Sequence, residues 1–213
     1  MRSLSDLRQL EVDRGFLSRI RELGRIPENV AGTLDARWSV EYADGSERAA
    51  RIAGGRKMRR LEKRMRRLAR RSRNGSVESV ERLERERERL EERLVPPPED
   101  ASDRRMHRFR IAVKRARYLA EDLAASGAGG LENRIAREKE LQDALGRWND
   151  LRLFRGRLQA IRSEAEESGT VVLAGELDPV IAALEGTLSS ARREVFAAAN
   201  RFARVLPFLE RSA

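Results

Sequence analysis

The chain has 213 residues, ample for one large or two small domains with a core. It carries 45 Lys+Arg against 35 Asp+Glu, a formal charge of +10 and a pI near 11.0, with 38% charged and only 5% aromatic residues. Zero cysteines and a single histidine exclude disulfides, thiolate metal sites and a His-rich zinc centre. Leu, Ala, Arg and Glu dominate, which favours helices with narrow apolar stripes. Only Lys57, Lys63, Lys114 and Lys139 are lysine, so 41 of the 45 basic residues are arginine. A planar guanidinium grips phosphate bidentately, but a coding bias of the genome gives the same total, so placement says more than number. No apolar leader opens the chain and no segment approaches ~20 apolar residues, so neither secretion nor membrane spanning is expected.

In chain order, residues 1–30 space Leu4, Leu7, Leu10, Phe16, Leu17, Ile20 and Leu23 helically, and Gly24 and Pro27 end the run. Residues 31–47 read as the least helical part: Trp38, Val40 and Tyr42 alternate with polar residues into Asp44-Gly45, which suits a short strand or hairpin. From Arg56 to Arg73, 11 of 18 residues are basic, yet Met58, Leu61, Met65 and Leu68 form one stripe, so an amphipathic helix is expected. Ser76–Leu94 reads as a charge-laced helix with Val80, Leu83, Leu90 and Leu94 as its seam. Pro96-Pro97-Pro98 ends it as a stiff linker. That linker divides the chain into halves 1–95 and 96–213, with residues 1–55 either part of the first half or a separate module.

Asp103–Leu123 separates basic from apolar residues most clearly. Wound at 3.6 residues per turn, it gathers Phe109, Ala112, Val113, Ala116, Leu119, Ala120 and Leu123 within about a third of the circumference, a core-facing stripe. The opposite side carries His107, Arg110, Lys114, Arg117, Tyr118 and Glu121, flanked by Arg108 and Arg115, at spacings that let head groups converge on one ligand. Two unit charges ~6 Å apart at an effective dielectric near 20 repel by about 3 kcal/mol. Such a strip is therefore either washed by solvent or covered by an anion. Shifted by 51 positions, Arg59, Lys63, Arg64, Arg66, Leu68 and Ala69 coincide with Arg110, Lys114, Arg115, Arg117, Leu119 and Ala120, and Arg56 falls where His107 stands. The aligned lysines are hard to dismiss in a chain with four, and they point to an internal repeat whose first copy lacks the histidine.

Ser126–Gly130 is a turn. Leu131–Glu167 then reads as a long helix with Ile135, Leu141, Leu145, Trp148, Leu151, Leu158 and Ile161 on its apolar side. Gly146 interrupts it, flanked by Gln142, Asn149 and Asp150. Either a neighbouring backbone approaches there while the amides orient the basic row, or helices simply pack at a small residue. Glu167–Glu176 is expected to be a break. Asp178-Pro179 then supplies N-cap and N1 of a last helix that runs through Val205, is closed by Pro207 and completes the second bundle.

The string His107-x-x-Arg110-Ile111-x-x-Lys114-Arg115-x-Arg117-Tyr118, followed by Leu141-Gln142-Asp143-x-Leu145-Gly146-x-x-Asn149-Asp150, resembles the second half of a CHAD domain, the conserved histidine α-helical domain, over residues 103–158. The resemblance implies an all-α fold of two helical-bundle halves related by pseudo-two-fold symmetry around a basic central channel that binds inorganic polyphosphate. It implies polyphosphate contacts from His107, Arg108, Arg110, Lys114, Arg115, Arg117 and Tyr118 and, through the repeat, from Arg56, Arg59, Lys63, Arg64 and Arg66. His107 itself reads as a phosphate ligand, a phospho-acceptor or a structural residue. The protein expected is a cytoplasmic, non-catalytic binding module without cofactor or metal, associated with polyphosphate granules. No Walker-type loop, His-Glu metal motif or serine elbow is present, and Glu121-Asp122 read as salt-bridging carboxylates. A triphosphate-processing enzyme would need a Mg²⁺-binding carboxylate cluster, and no stretch offers one. The alternative function is non-specific nucleic-acid binding, for which the charge suffices although aromatics to stack bases are scarce.

Overall fold

The computed structural model describes residues 2–55, 59–60, 63–64, 85–86, 89–90, 94–127 and 129–204. Five helices run through them: α1 (Arg2–Glu22), α2 (Glu28–Ala53), α3 (Asp103–Ala125), α4 (Glu132–Glu167) and α5 (Val171–Ala203), and no strand occurs among the described residues. The all-α expectation holds. The helices expected over 56–73 and 76–94 lie largely outside the described residues, as do Val205 and Pro207; the described pairs Arg59-Arg60, Lys63-Arg64, Arg85-Glu86 and Arg89-Leu90 are helical.

Chain contacts group the protein into two compact units, residues 1–73 with 150–187 and residues 74–149 with 188–213. These units are interleaved along the sequence, a division other than the linear halves on either side of Pro96-Pro97-Pro98. Helices α4 and α5 each contribute one segment to each unit.

In the first unit α1 and α2 form an antiparallel pair, because their contacts pair ever later residues of α2 with ever earlier ones of α1. Asp35 meets Arg14 at 3.1 Å, Tyr42 donates to Glu11 at 3.0 Å, and Gly45 packs on Leu7. A Cβ at Gly45 would stand 2.7 Å from Leu7 Cδ2, so the absent side chain sets how closely the two helices approach. The turn between them is built by Gly24 at φ 62°, with Gly24 N–H donating to Arg21 O and Arg25 N–H to Ile20 O, the paired bonds of a Schellman cap. The α4–α5 turn repeats that device at Gly169 (φ 76°), with bonds from Gly169 to Glu166 O and from Thr170 to Ala165 O. Phe154 of α4 lies between Phe16 (ring centroids 5.3 Å apart) and Trp38 (6.0 Å), so one aromatic group ties three helices together. In the second unit the α3 stripe meets the start of α4: Leu119, Leu123 and Leu131 are buried together, with Leu90, Ala124 and Ile135 packed against them.

Three local expectations are corrected. Residues 38–45 are helix, because Val30, Ala31, Leu34, Trp38 and Gly45 form a buried stripe of helical period. Of the alternating trio only Trp38 is buried, and Val40 is 63% exposed. Asp178-Pro179 does not open α5, which starts at Val171 and carries Pro179 inside it. The buried run Ala174, Leu177, Val180 and Leu184 continues straight through the proline. Finally α4 passes Gly146 unbroken, and among the described residues nothing lies within 4 Å of where its Cβ would be, so no close approach occurs there.

The first unit also buries a carboxylate on what the sequence marks as an apolar face. Asp13 is fully buried, accepts a bond from Gln9 Nε2 at 2.9 Å, and lies 3.1 Å from Arg157 Nη1, whose Nη2 is 3.7 Å from Glu41. Burial raises its pKa above the ordinary carboxylate value; Gln9 and Arg157 oppose the rise, while Asp150 and Glu41 add to it. With the folded pKa above the unfolded one, the stability Asp13 contributes is fully present below the unfolded value, about 4, and is lost as pH climbs through the raised value. Urea unfolding across a pH series should therefore show wild type losing stability relative to Asp13→Asn from about pH 4 upward and then levelling. A pH-independent gap between the two would refute the shift.

Candidate polyanion site

Ser102 is the N-cap of helix α3, and its carbonyl accepts the N–H groups of Arg105 and Met106. Its buried residues are Met106, Phe109, Val113, Ala116, Leu119, Ala120 and Leu123, the expected stripe with Met106 added and Ala112 moved to its margin. Fixing that stripe fixes the direction of every other side chain on the helix.

Apart from the exposed Arg104, the cations of α3 then sort into two sets. Arg105, His107, Arg108 and Arg115 line a groove of about 580 Å³ with Ile111 and Ala112 on the same helix. Its remaining lining is Phe109 below and Leu90, Val95 and Pro97 from the preceding segment. His107, Arg108 and Arg115 are exposed. Among the described residues no carboxylate pairs with Arg105, Arg108 or Arg115. Arg105 is a groove residue beyond those the motif marks; its spacing to Arg108, Ala112 and Arg115 places all four on one side of a helix.

On the other flank of the stripe Arg110, Lys114 and Arg117 are half-buried. Arg117 is held from three sides: Nε donates to Gln142 Oε1 of α4 at 2.9 Å, Nη1 to Glu121 at 2.6 Å, and its guanidinium lies 4.7 Å from the centroid of the Tyr118 ring. Lys114 Nζ stands 5.7 Å from the same ring, which is 45% exposed. The expectation that an amide of α4 orients the basic row is met by Gln142 on Arg117, and Glu121 is the salt-bridging carboxylate foreseen. A guanidinium this engaged offers less to a ligand than the exposed heads in the groove.

On α4 and α5 of this unit several described arginines are paired with carboxylates. Arg147 of α4 pairs with Glu194 of α5 at 2.8 Å, and Glu140 lies between Arg137 and Arg201, which together keep its carboxyl below the ordinary range. Arg134 and Glu138 form a buried pair at 3.0 Å, and Arg192 is spent on the carbonyls of Glu99 and Ala101. Of the cations assigned through the repeat, Arg59, Lys63 and Arg64 are exposed and belong to the first unit, while Arg56 and Arg66 lie outside the described residues. Among the described residues no group of three metal-ligating side chains occurs, and no helix is long and apolar enough to cross a membrane.

The sequence model of the CHAD domain matches residues 1–159. The chain belongs to the CHAD family. The match includes residues 1–55. Searches of curated proteins and of solved structures return no match. Within this CHAD chain the two sets of α3 cations should separate by stability. Arg117→Ala removes a charge-assisted bond and an amide partner, which costs about 1–3 kcal/mol, whereas the exposed Arg115→Ala should stay within about 0.5 kcal/mol. Chemical denaturation of both variants reads the difference, and equal losses would show that Arg117 has no structural role.

Proposed function

We propose that this CHAD protein is a binding module for inorganic polyphosphate and that the groove along α3 is a principal contact surface. The observation that carries the reading is the convergence of Arg105, His107, Arg108 and Arg115 on one groove, in a unit whose α4 and α5 arginines are largely taken up by carboxylates. The family is associated with polyphosphate binding, which gives the anion its identity. A polyphosphate chain presents repeated charged oxygens to side chains seven residues and about 10 Å apart, which suits Arg108 and Arg115 two helical turns from each other. Each charge-assisted contact is worth about 1.5–3 kcal/mol, against ~0.2–1 for an exposed ion pair. His107 donates a hydrogen bond to phosphate in this reading, more strongly as the anion favours its protonated form. Arg110, Lys114, Arg117 and Tyr118 form the adjoining half-buried flank, and the stretch with Arg56, Arg59, Lys63, Arg64 and Arg66 supplies further phosphate contacts. The protein performs no catalysis and acts in the cytoplasm at polyphosphate granules.

Titration with long-chain polyphosphate and with charge-matched single-stranded DNA across a salt series tests the reading. Arg108→Ala/Arg115→Ala should bind polyphosphate at least tenfold more weakly. The control Arg147→Ala/Arg201→Ala, which removes the same charge from ion-paired positions, should change it less than threefold. Equal losses in both variants, with DNA bound as tightly as polyphosphate, would instead mark the chain as a generic basic protein that binds nucleic acid.

A further inference from the structure

An inorganic polyphosphate has no apolar surface, yet the α3 groove has an apolar side. Ile111 and Ala112 lie on α3 midway between Arg108 and Arg115, while Val95 and Pro97 line the groove from the segment before the helix. Val95 is 57% exposed and Ile111 and Ala112 are half-buried, so these three form the part of the lining open to a ligand, while Pro97 is buried behind them. Between its contacts to Arg108 and Arg115, a hydrated anionic chain laid here gains nothing from Ile111 and Ala112 themselves. An organic group would turn the same surface into a gain. The volume, about 580 Å³, falls within the range of small-molecule sites, which combine an apolar lining with a few polar groups that fix orientation.

We infer that the groove takes a nucleoside polyphosphate, its phosphates held by Arg105, His107 and Arg108 and by Arg115, its base lying against Ile111, Ala112 and Val95. The shape of the apolar surface selects this class of organic phosphate. A cation stands one helical turn to either side of Ile111 and Ala112, so the apolar span along α3 is only about 10 Å. A compact, flat base fits between those charges, whereas an extended acyl chain would have to run under one of them. The assignment concerns the same groove as the polyphosphate reading and requires only that the groove bind phosphate. It adds the organic part of the ligand.

Calorimetric titration of the full chain with ATP and with inorganic tripolyphosphate, both without divalent metal, separates the two contributions. Tripolyphosphate carries at least as much charge, so a purely electrostatic groove binds it as tightly as ATP or more tightly. The expected result is ATP at least tenfold tighter. That advantage should be lost in Ile111→Asn/Ala112→Ser, with tripolyphosphate affinity unchanged and helicity preserved by circular dichroism, while Arg108→Ala/Arg115→Ala should weaken both ligands. ATP no tighter than tripolyphosphate, or an advantage that survives Ile111→Asn/Ala112→Ser, overturns the inference, and long-chain polyphosphate binding can persist in that case. Octyl phosphate binding more tightly than ATP would overturn the nucleoside and assign the apolar side to an alkyl group. Failure of long-chain polyphosphate to bind while ATP retains its advantage would refute the polyphosphate reading and leave this one standing.

Discussion

With 45 basic side chains and 35 acidic ones, the chain cannot pair every cation, and the placement of the surplus governs what its surfaces can do. Several carboxylates bridge one helix to another. Arg37 meets Glu164 at 2.7 Å, Arg155 meets Glu185 at 2.9 Å, Arg162 reaches Asp178, and Arg147 and Arg201 are paired along α4 and α5. The Arg37–Glu164 pair shifts both partners toward their charged forms, raising the guanidinium and lowering the carboxyl, with the hydrogen bond as the leading cause in each. Exposed pairs of this kind add little stability singly. Their larger effect is to let arginine-rich helices lie side by side without repulsion, which leaves a surplus on the groove side of α3.

The same constraint operates inside the cores. Asp13 and Arg157 in one unit, and Glu138 and Arg134 in the other, are charged groups that burial would penalise if either partner stood alone. Around Asp13 the balance is strained, because two further carboxylates, Glu41 and Asp150, add to the cost of its ionisation. Such pairs are weak evidence for stability and better evidence for register. Asp13 keeps its hydrogen bond from Gln9, one turn earlier, and its ion pair with Arg157 of α4 only while both hold their places.

Much of α3 was legible because its stripe is long and strongly periodic. A single error at its margin, Ala112 for Met106, leaves the axis of the face unchanged. The division of the cations into two sets was not legible, since a helical wheel gives angles without saying which flank another segment covers. Val95 and Pro97 look like linker in the sequence, and their role as a groove wall depends on where the chain runs before Asp103. The strand-like alternation at Trp38, Val40 and Tyr42 shows the opposite failure: three residues of short period lost to a stripe several turns long. The cap suggested by Asp178-Pro179 was an accurate local signal overridden by tertiary burial of Leu177 and Val180 on either side of it. Asp13 was passed over because a lone carboxylate on an apolar face leaves no trace of its partner 144 positions away, Arg157.

Interleaving of the two units has a bearing on how the protein is made. The first unit joins residues far apart in the chain: Asn29 hydrogen-bonds Glu176 at 3.1 Å, across 147 positions, and Arg37 reaches Glu164 across 127. The second closes only when α5 beyond Leu188 supplies Val195, Phe196 and Phe202. During synthesis from the N-terminus, α1 and α2 emerge first, with Asp13 still hydrated and Trp38 still uncovered, and neither unit is complete before the last helix leaves the ribosome. Helix α5 is thus the shared keystone of both cores, and until it arrives the nascent chain is a set of basic, partly exposed helices in a cell rich in polyanions.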